Sequence, residues 1–328
     1  MSYEEAVKLF TLLFKHEMSD EQMREFLLGV KLDENMDAKT IAAAAEVMRS
    51  FALELPIDES LRSKVIDIVG TGGDKIGSFN ISSTVSIIAA SCGSIVAKHG
   101  SRSVTSKSGS ADMFEKLGVR LDLDINQSAK LLEESGFTFM FAGNHHPAMK
   151  FIMPIRKKIP DKTIFNILGP LTNPAGAKKS LLGVFDKSFV VKIVEALRIN
   201  SATSSMVVSS AEGMDEISIS DITYACSFKN GVVKEFIIDP QEYGIKRAPI
   251  EAIVGGDSKD NAYILHNILN SKATDAQRDI VLINSASALV VDGLARDIQD
   301  GLEMAREAIE SSKAKEKLKQ IIEISNKL

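Results

Sequence analysis

The sequence predicts an α/β protein, with a small N-terminal helical bundle ahead of a large α/β domain built on a central, mostly parallel sheet flanked by helices. Three observations predict it. Apolar residues fall only at helical spacing through the first sixty or so positions, whereas from Val65 onward short β-branched runs alternate with amphipathic stretches. The loops after several of those runs are rich in glycine, hydroxyls or charge, as expected where an open α/β sheet presents its carboxyl ends. At 328 residues the chain is long enough for one large domain plus a smaller one.

In the first helix Ala6, Leu9, Phe10 and Leu13 share a face. A second starts at a capping box, Ser19 with Gln22, ahead of Met23, Phe26 and Leu27. A third starts near Asp37 and carries Ile41, Ala44, Ala45 and Met48. The stretch "LELPIDESLRSK" at 53–64 is polar, contains Pro56 and precedes the change of pattern, so it is the expected linker between residues 1–62 and 65–328. The second part runs through "KVIDIVG", "SSTVSIIAAS", "SIVAKHG" and "SADMFEKLG", then "FTFMFAG", "KSLLGVF", a helix in "KSFVVKIVEALR", and "SSMVVSS". Two strand-like runs around Asn230 and Gly231 read as a hairpin, and 275–328 is again helical.

Composition narrows the function classes. Acidic residues outnumber Lys and Arg by 44 to 39, a net charge of -5, which argues against a wholly basic, nucleic-acid-coating surface and leaves any anion site local. Cys92 and Cys226 are far apart and belong to no CxxC or Cys/His cluster, so packing thiols in a reducing cytoplasm are expected. The N-terminus lacks the basic start of a signal peptide, and no apolar run reaches the ~20 residues that span a bilayer.

Three loops carry chemistry. In "DIVGTGGDKIGSFNISSTVS", Gly70, Gly72, Gly73 and Gly77 permit close backbone approach to a bulky anion. The run from Asn80 to Ser83 can cap the following helix, whose N-terminus favours phosphate. The loop fits neither the Rossmann fingerprint, because Lys75 stands where a glycine is required, nor a P-loop. In "KHGSRSVTSKSGSAD", Lys98, Arg102 and Lys107 offer charge-assisted donors among six hydroxyl residues, and Ser110 can also cap the next helix. His99 lacks a nucleophile partner and is expected to contact ligand rather than move a proton. In "SSAEGMDEIS", adjacent Asp215 and Glu216 are hard oxygen donors suited to Mg²⁺ rather than zinc. Together the loops suit a phosphorylated ligand that arrives with magnesium.

The motifs "GTGGD" at 70–74, "KHGSR" at 98–102, "SGSAD" at 108–112, "HPAMK" at 146–150, "FNILGPLTNP" at 165–174, and Asp215 with Glu216 closely resemble the anthranilate phosphoribosyltransferases, of nucleoside phosphorylase/phosphoribosyltransferase-like fold. The resemblance implies transfer from 5-phosphoribosyl 1-diphosphate to anthranilate in tryptophan biosynthesis. It implies that Gly70, Gly73, Asp74, Ser78, Asn80, Ser82, Ser83, Lys98, Ser106 and Ser110 hold the sugar diphosphate. By the same likeness, Ser82, Asp215 and Glu216 bind Mg²⁺, and Gly70, His99, Ser101 and Arg156 meet anthranilate. Lys98, Asp215 and Glu216 would carry the catalysis.

The resemblance further implies that part of 145–175 joins the helical domain, that two copies pair through that domain, and that a glutamine amidotransferase (anthranilate synthase) component is a candidate partner. Two positions depart from the family pattern: Ser101 replaces an asparagine, exchanging an amide for a hydroxyl, and Lys162 stands where arginine is frequent, removing a bidentate donor. A pyrimidine nucleoside phosphorylase is the competing enzyme reading and a non-catalytic nucleic-acid binder the competing non-enzyme one. The acidic pair and "NILGPLTNP" favour the transferase over the phosphorylase, and the acidic balance argues against the nucleic-acid binder.

Overall fold

The computed structural model describes residues 1–103 and 107–328. Helices Tyr3–Phe14, Asp20–Gly29 and Ala38–Ser50 each begin at a side-chain cap: Ser2 paired with Glu5, Ser19 paired with Gln22, and Asp37 accepting from the Thr40 N–H. The buried stripe of the first helix is Ala6, Phe10, Leu13 and Phe14, so Leu9, expected on that stripe, is only half-buried. Phe14 stands four positions after Phe10, the spacing that places both over the same neighbours. Together with Met23, Leu27 and Ile41 these side chains form one apolar cluster with Ile152, Ile155, Ile159, Ile164 and Phe165. The Leu32 N–H to Lys162 O and Ile164 N–H to Val30 O bonds, 3.0 and 2.9 Å, fasten the two stretches by main chain as well.

Residues 53–64 are packed down rather than loose. Leu55 is fully buried and Ile57 nearly so, and a helical turn occupies Glu59–Arg62. The Leu53 N–H donates to His145 O at 2.8 Å and the Leu55 N–H to Pro174 O at 3.1 Å. The Arg62 guanidinium donates to three carbonyls, those of Ala175, Leu55 and Ile57, at 2.9 to 3.3 Å.

Seven strands follow: β1 Val65–Gly70, β2 Ile95–Gly100, β3 Phe137–Phe141, β4 Lys179–Gly183, β5 Ser204–Ser210, β6 Thr223–Lys229 and β7 Val232–Ile238. Their order in the sheet is β3-β2-β1-β4-β5-β6-β7, with β1 to β5 parallel and the last two antiparallel. The expected hairpin joins β6 to β7, and Asn230 and Gly231 both take positive φ, +52° and +81°, as a two-residue turn of that twist demands. One face of the sheet packs on helices Ile81–Ser91 and Asp275–Asp292, while Val69, Leu182, Val207 and Cys226 on the other face meet helix Val190–Ile199 and the N-terminal helices. Cys92 and Cys226 are both free thiols. Helices Ile125–Ser135 and Ser258–Leu269 are further elements that the alternating runs do not mark. Among the described residues no helix is long and apolar enough to cross a membrane.

Strand order reverses at β1, whose successor β2 lies on one side and β4 on the other, so the crevice at the carboxyl end of β1 is where a ligand is expected. The β1–β4 ladder runs from Ile66 to Gly70, yet β1 and β2 pair only through Val65 with Ile95 and Ile66 with Val96. Beyond those rungs β1 and β2 are bridged by side chains.

Candidate active site

Three of the sequence-marked loops converge at that crevice. The acidic loop leaves β5 and crosses the ends of β1 and β4. A Cβ on Gly70 would lie 2.3 Å from Asp215 Oδ2, and one on Gly183 would lie 1.6 Å from the Asp215 carbonyl oxygen, so neither position accepts a side chain. The Gly72 N–H donates to Asp215 Oδ2 at 2.6 Å and the Ser82 N–H to Glu216 Oε1 at 3.0 Å. Asn284 grips the next residue from behind, accepting from the Ile217 N–H at 3.0 Å and donating to its carbonyl at 2.8 Å. Burial, and then the negative charge of Asp74, push the Asp215 carboxyl up to about 7. Burial and the charge of Asp215 push Glu216 to about 8.

Lys98 is 2% exposed at the end of β2. Its ammonium donates to Ile68 O at 2.6 Å and to Ser82 Oγ at 3.2 Å. Burial lowers its pKa, while the carboxylates of Asp67, Glu216 and Asp215 act the other way. Ser82, at the start of helix Ile81–Ser91, therefore accepts from Lys98 through its hydroxyl and donates to Glu216 through its main chain.

The glycine loop is held in place from the side: the Phe79 N–H donates to Ile253 O and the Gly255 N–H to Gly77 O. Gly72 and Gly73 take φ of +69° and +76°, a sequence of left-handed residues that only glycine adopts readily. The N–H groups of Gly73, Asp74 and Lys75 have no acceptor among the described residues. Ser78 bridges to Val254, and Ser83 is buried with its hydroxyl unpartnered among the described residues.

Several local expectations fail here. Asn80 is the N-cap by position but makes no side-chain cap bond; its amide oxygen accepts from Asn261 Nδ2 at 2.8 Å instead. Ser110 does not cap the helix Ser110–Lys116: Gly109 is the cap residue, and Asp112 accepts from the N–H groups of Gly109 and Ser103 at 2.9 and 3.0 Å. Ser110 Oγ instead lies against Gly100, where an added Cβ would come within 2.2 Å of it. Arg102, read as an anion donor, is engaged by Asp112 and Glu115 at 3.0 and 2.8 Å. Ser101 is exposed, and its hydroxyl donates to Arg102 O at 3.0 Å. Ser106 lies outside the described residues.

His99, next to Lys98, faces the other side of β2. His99 is buried, with Nδ1 3.1 Å from Gly169 O and its ring centre 5.1 Å from that of His146. A carbonyl only accepts, so Nδ1 carries the proton and Nε2 is left as a buried acceptor with no partner among the described residues. Burial, with the His146 ring adding to it, holds His99 down to about 3, and it is neutral at pH 7. Arg156 ends helix Met149–Arg156 with its guanidinium 5.4 Å from the Phe165 ring centre and no carboxylate partner among the described residues. Burial lowers its pKa. Lys162 reaches across to the glycine loop, donating to Gly73 O at 3.3 Å while its ammonium sits 3.2 Å from the centre of the Phe185 ring.

Sequence reasoning missed Asp67, Asn173, Gly183, Asn261 and Asn284. Two of them left a signal: an acid inside the apolar run "KVIDIVG", and a glycine inside "KSLLGVF", the mark of a close backbone crossing.

The arrangement matches known proteins throughout its length. The family model described as "Glycosyl transferase family, a/b domain" matches residues 62–315. The anthranilate phosphoribosyltransferase of Xanthobacter autotrophicus is 42% identical over all of this chain and 94% of its own length. That of Methanobrevibacter smithii is 46% identical over 80% of this chain and 78% of its own. Among solved structures, the anthranilate phosphoribosyltransferase from Thermus thermophilus superposes with a TM-score of 0.92 at 34% identity, covering 99% of this chain and 96% of that one. The Saccharomyces cerevisiae enzyme in complex with PRPP and Mg gives 0.87 at 26% identity, over 99% and 93%. With a buried lysine, an acidic pair and a glycine loop meeting at one sheet end, and with relatives this similar across the whole chain, the protein belongs to the anthranilate phosphoribosyltransferase family.

Proposed function

We infer that the chain transfers the phosphoribosyl group of 5-phosphoribosyl 1-diphosphate to the amine of anthranilate, releasing pyrophosphate, in tryptophan biosynthesis. The observation that carries this reading is the meeting of Lys98, Ser82, Asp215 and Glu216 beside the free amides of Gly73 and Asp74. Donors and carboxylates together suit a polyanion that brings its own cation.

The donor set fits Mg²⁺. It is all oxygen, with Asp215, Glu216 and the Ser82 hydroxyl close to one another, and no cage of three or more His, Cys, Asp or Glu ligands exists among the described residues. A cation that keeps waters and takes substrate phosphates, rather than one wanting a full protein cage, suits such a site. Bound there, Mg²⁺ would supply neutralising charge to the departing diphosphate.

The chain's own residues do the rest. Lys98 and the glycine-loop amides stabilise the same developing charge from fixed positions, and positive charge builds on the ribose as the C1–O bond breaks. Arg156, unpaired and partly desolvated, would take the anthranilate carboxylate and turn the ring so that its neutral amine faces C1. His99, neutral at pH 7, would line that subsite as a hydrogen-bond acceptor through Nε2 rather than as a general acid. No protein nucleophile is needed. The division into a helical lobe of 1–62 with part of 145–175 and an α/β lobe of 65–328 would let closure over the crevice exclude water, which otherwise hydrolyses the activated sugar. Family likeness also supports pairing of two copies through the helical lobe and a glutamine amidotransferase partner. A light-scattering mass that stays at the 35.6 kDa of one chain would overturn the pairing.

The direct test follows anthranilate fluorescence with the sugar diphosphate and Mg²⁺, each omitted in turn; the signal is expected to fall only with all three present, and persistence of anthranilate in the full mixture would sink the reading. Replacing the acidic pair by Asp215→Asn with Glu216→Gln is expected to lower turnover about 100-fold or more, as loss of preorganised electrostatics does. Arg156→Ala is expected to raise KM for anthranilate about 10- to 100-fold, the worth of a charge-assisted bond, and to leave KM for the sugar diphosphate near its natural value. A rise confined to the diphosphate would contradict the assignment.

Acidity gives a further test. Because the folded pKa values of Asp215 and Glu216, about 7 and 8, lie above those of the unfolded chain, ionising them costs stability progressively as pH climbs from about 4 through 8. Mg²⁺ competes with the protons, so its stabilisation in thermal scans with the sugar diphosphate is expected to be greater at pH 8 than at pH 6. Equal shifts at both pH values, or a shift retained by the neutralised pair, would contradict it.

A further inference from the structure

We propose that Asp67 and Asn173 form the positioning pair of this active site, holding β1 and β2 apart so that Lys98 and His99 stand ready on opposite faces of one strand. This deepens the transferase reading and rests on it. Asp67 opens "DIVGTGGDKIGSFNISSTVS" and Asn173 stands in "FNILGPLTNP", yet neither is among the residues assigned to a ligand above, and no contact of either with substrate is required.

The starting point is the short β1–β2 ladder. It ends after Ile66 with Val96, although both strands continue for four more residues and each remains paired on its outer side, β1 to β4 and β2 to β3. Three side-chain bonds take over where main-chain rungs stop. Asp67 Oδ1 accepts from the His99 N–H at 3.2 Å. Asn173 Nδ2 donates to Ala97 O at 2.7 Å. Lys98 Nζ donates to Ile68 O at 2.6 Å. The opening between the strands is thus filled by side chains whose polar atoms replace those of the missing ladder, as buried main-chain groups require.

The two partners are themselves locked. Asn173 Nδ2 also donates to Asp67 Oδ2 at 2.7 Å, and its Oδ1 accepts from the Ala175 N–H at 2.8 Å. Asp67 is 1% exposed and Asn173 5%. An ionisable residue inside an otherwise apolar parallel strand is costly unless it is held in this way, and an apolar residue with a complete ladder would cost less. The arrangement makes sense as the support of what it touches. One carboxylate fixes the main chain of His99 and offers counter-charge to Lys98, while Asn173 ties the 165–174 segment, whose Gly169 carbonyl orients the His99 ring, to the same strand. Through one pair the two substrate subsites share a support.

The test is steady-state kinetics on Asp67→Asn and Asn173→Ser in the full-length protein, at a temperature where circular dichroism shows each variant folded. In Asp67→Asn the new amide faces a donor at either His99 N or Asn173 Nδ2, so one bond is lost without a change of shape. The expected result is a rise in KM for both substrates with a fall in kcat, together about 10- to 100-fold in kcat/KM, as small displacements of remote supports produce. The double variant should be little worse than the more impaired single one, because the pair acts as a unit. A pair that merely closes the sheet would lower the melting temperature and leave KM and kcat per folded molecule within about twofold, and that outcome overturns the proposal. Should Asp67→Asn fail to fold, Asn173→Ser alone decides between the two results. An inactive natural chain would overturn the transferase reading itself, whereas an active one with unaffected variants overturns the positioning role only.

Discussion

The buried ammonium of Lys98 is the constraint around which the site is arranged. Taking such a charge out of water costs several kcal/mol unless it finds oxygen ligands and counter-charge. Here two oxygens are within 3.2 Å and three carboxylates lie near enough to favour the charged form. Meeting that demand draws the loop after β5 across the strand ends, and the crossing in turn forbids side chains at Gly70 and Gly183. Burial is the first cause of the upward shifts of Asp67, Asp215 and Glu216; carboxylate neighbours add to it at Asp215, through Asp74, and at Glu216, through Asp215, while Lys98 pulls Asp67 and Glu216 back.

The pleat of β2 then divides the labour. Successive side chains point to opposite faces, so Lys98 faces the helix that starts at Ile81 while His99 faces the segment around Gly169 and His146. Two surroundings of opposite character, one charged about Lys98 and one of neutral rings about His99, are thereby fixed within one residue of each other. Arg156 and Lys162 come from the segment whose apolar residues are shared with the N-terminal helices, so the helical layer brings Lys162 to the glycine loop and holds Arg156 over Phe165.

Strand identity and the chemistry-bearing loops were legible because each is local: glycines after an apolar run, a cation in "IVAKHG", an acidic pair after "SSMVVSS". What could not be read locally was decided by partners far along the chain. Asn80 has the right identity and position for a helix cap, yet Asn261, 181 residues away, takes its oxygen. Arg102 reads as an anion donor in the company of serines, whereas Asp112 and Glu115, one helical turn apart, form a better-placed receptor for a guanidinium. The contacts of Gly72 and Ser82 with the acidic pair span 143 and 134 residues and have no signature in either loop alone.

Those last two contacts also bear on how ligands enter. The N–H groups of Gly72 and Ser82, at the glycine loop and the helix start where phosphate oxygens would be welcome, are already donating to Asp215 and Glu216. An anion that takes these amides must release the carboxylates, and carboxylates so released are the hard donors that a divalent cation binds. A cation that draws the carboxylates away likewise frees the amides. Each ligand therefore removes an obstacle to the other, and because such coupling is reciprocal, the affinity gained by the sugar diphosphate in the presence of metal must equal that gained by the metal in the presence of the sugar diphosphate. A free carboxylate pair without a cation, or a diphosphate facing occupied amides, is the less stable combination. On this reasoning the two are expected to bind as a set.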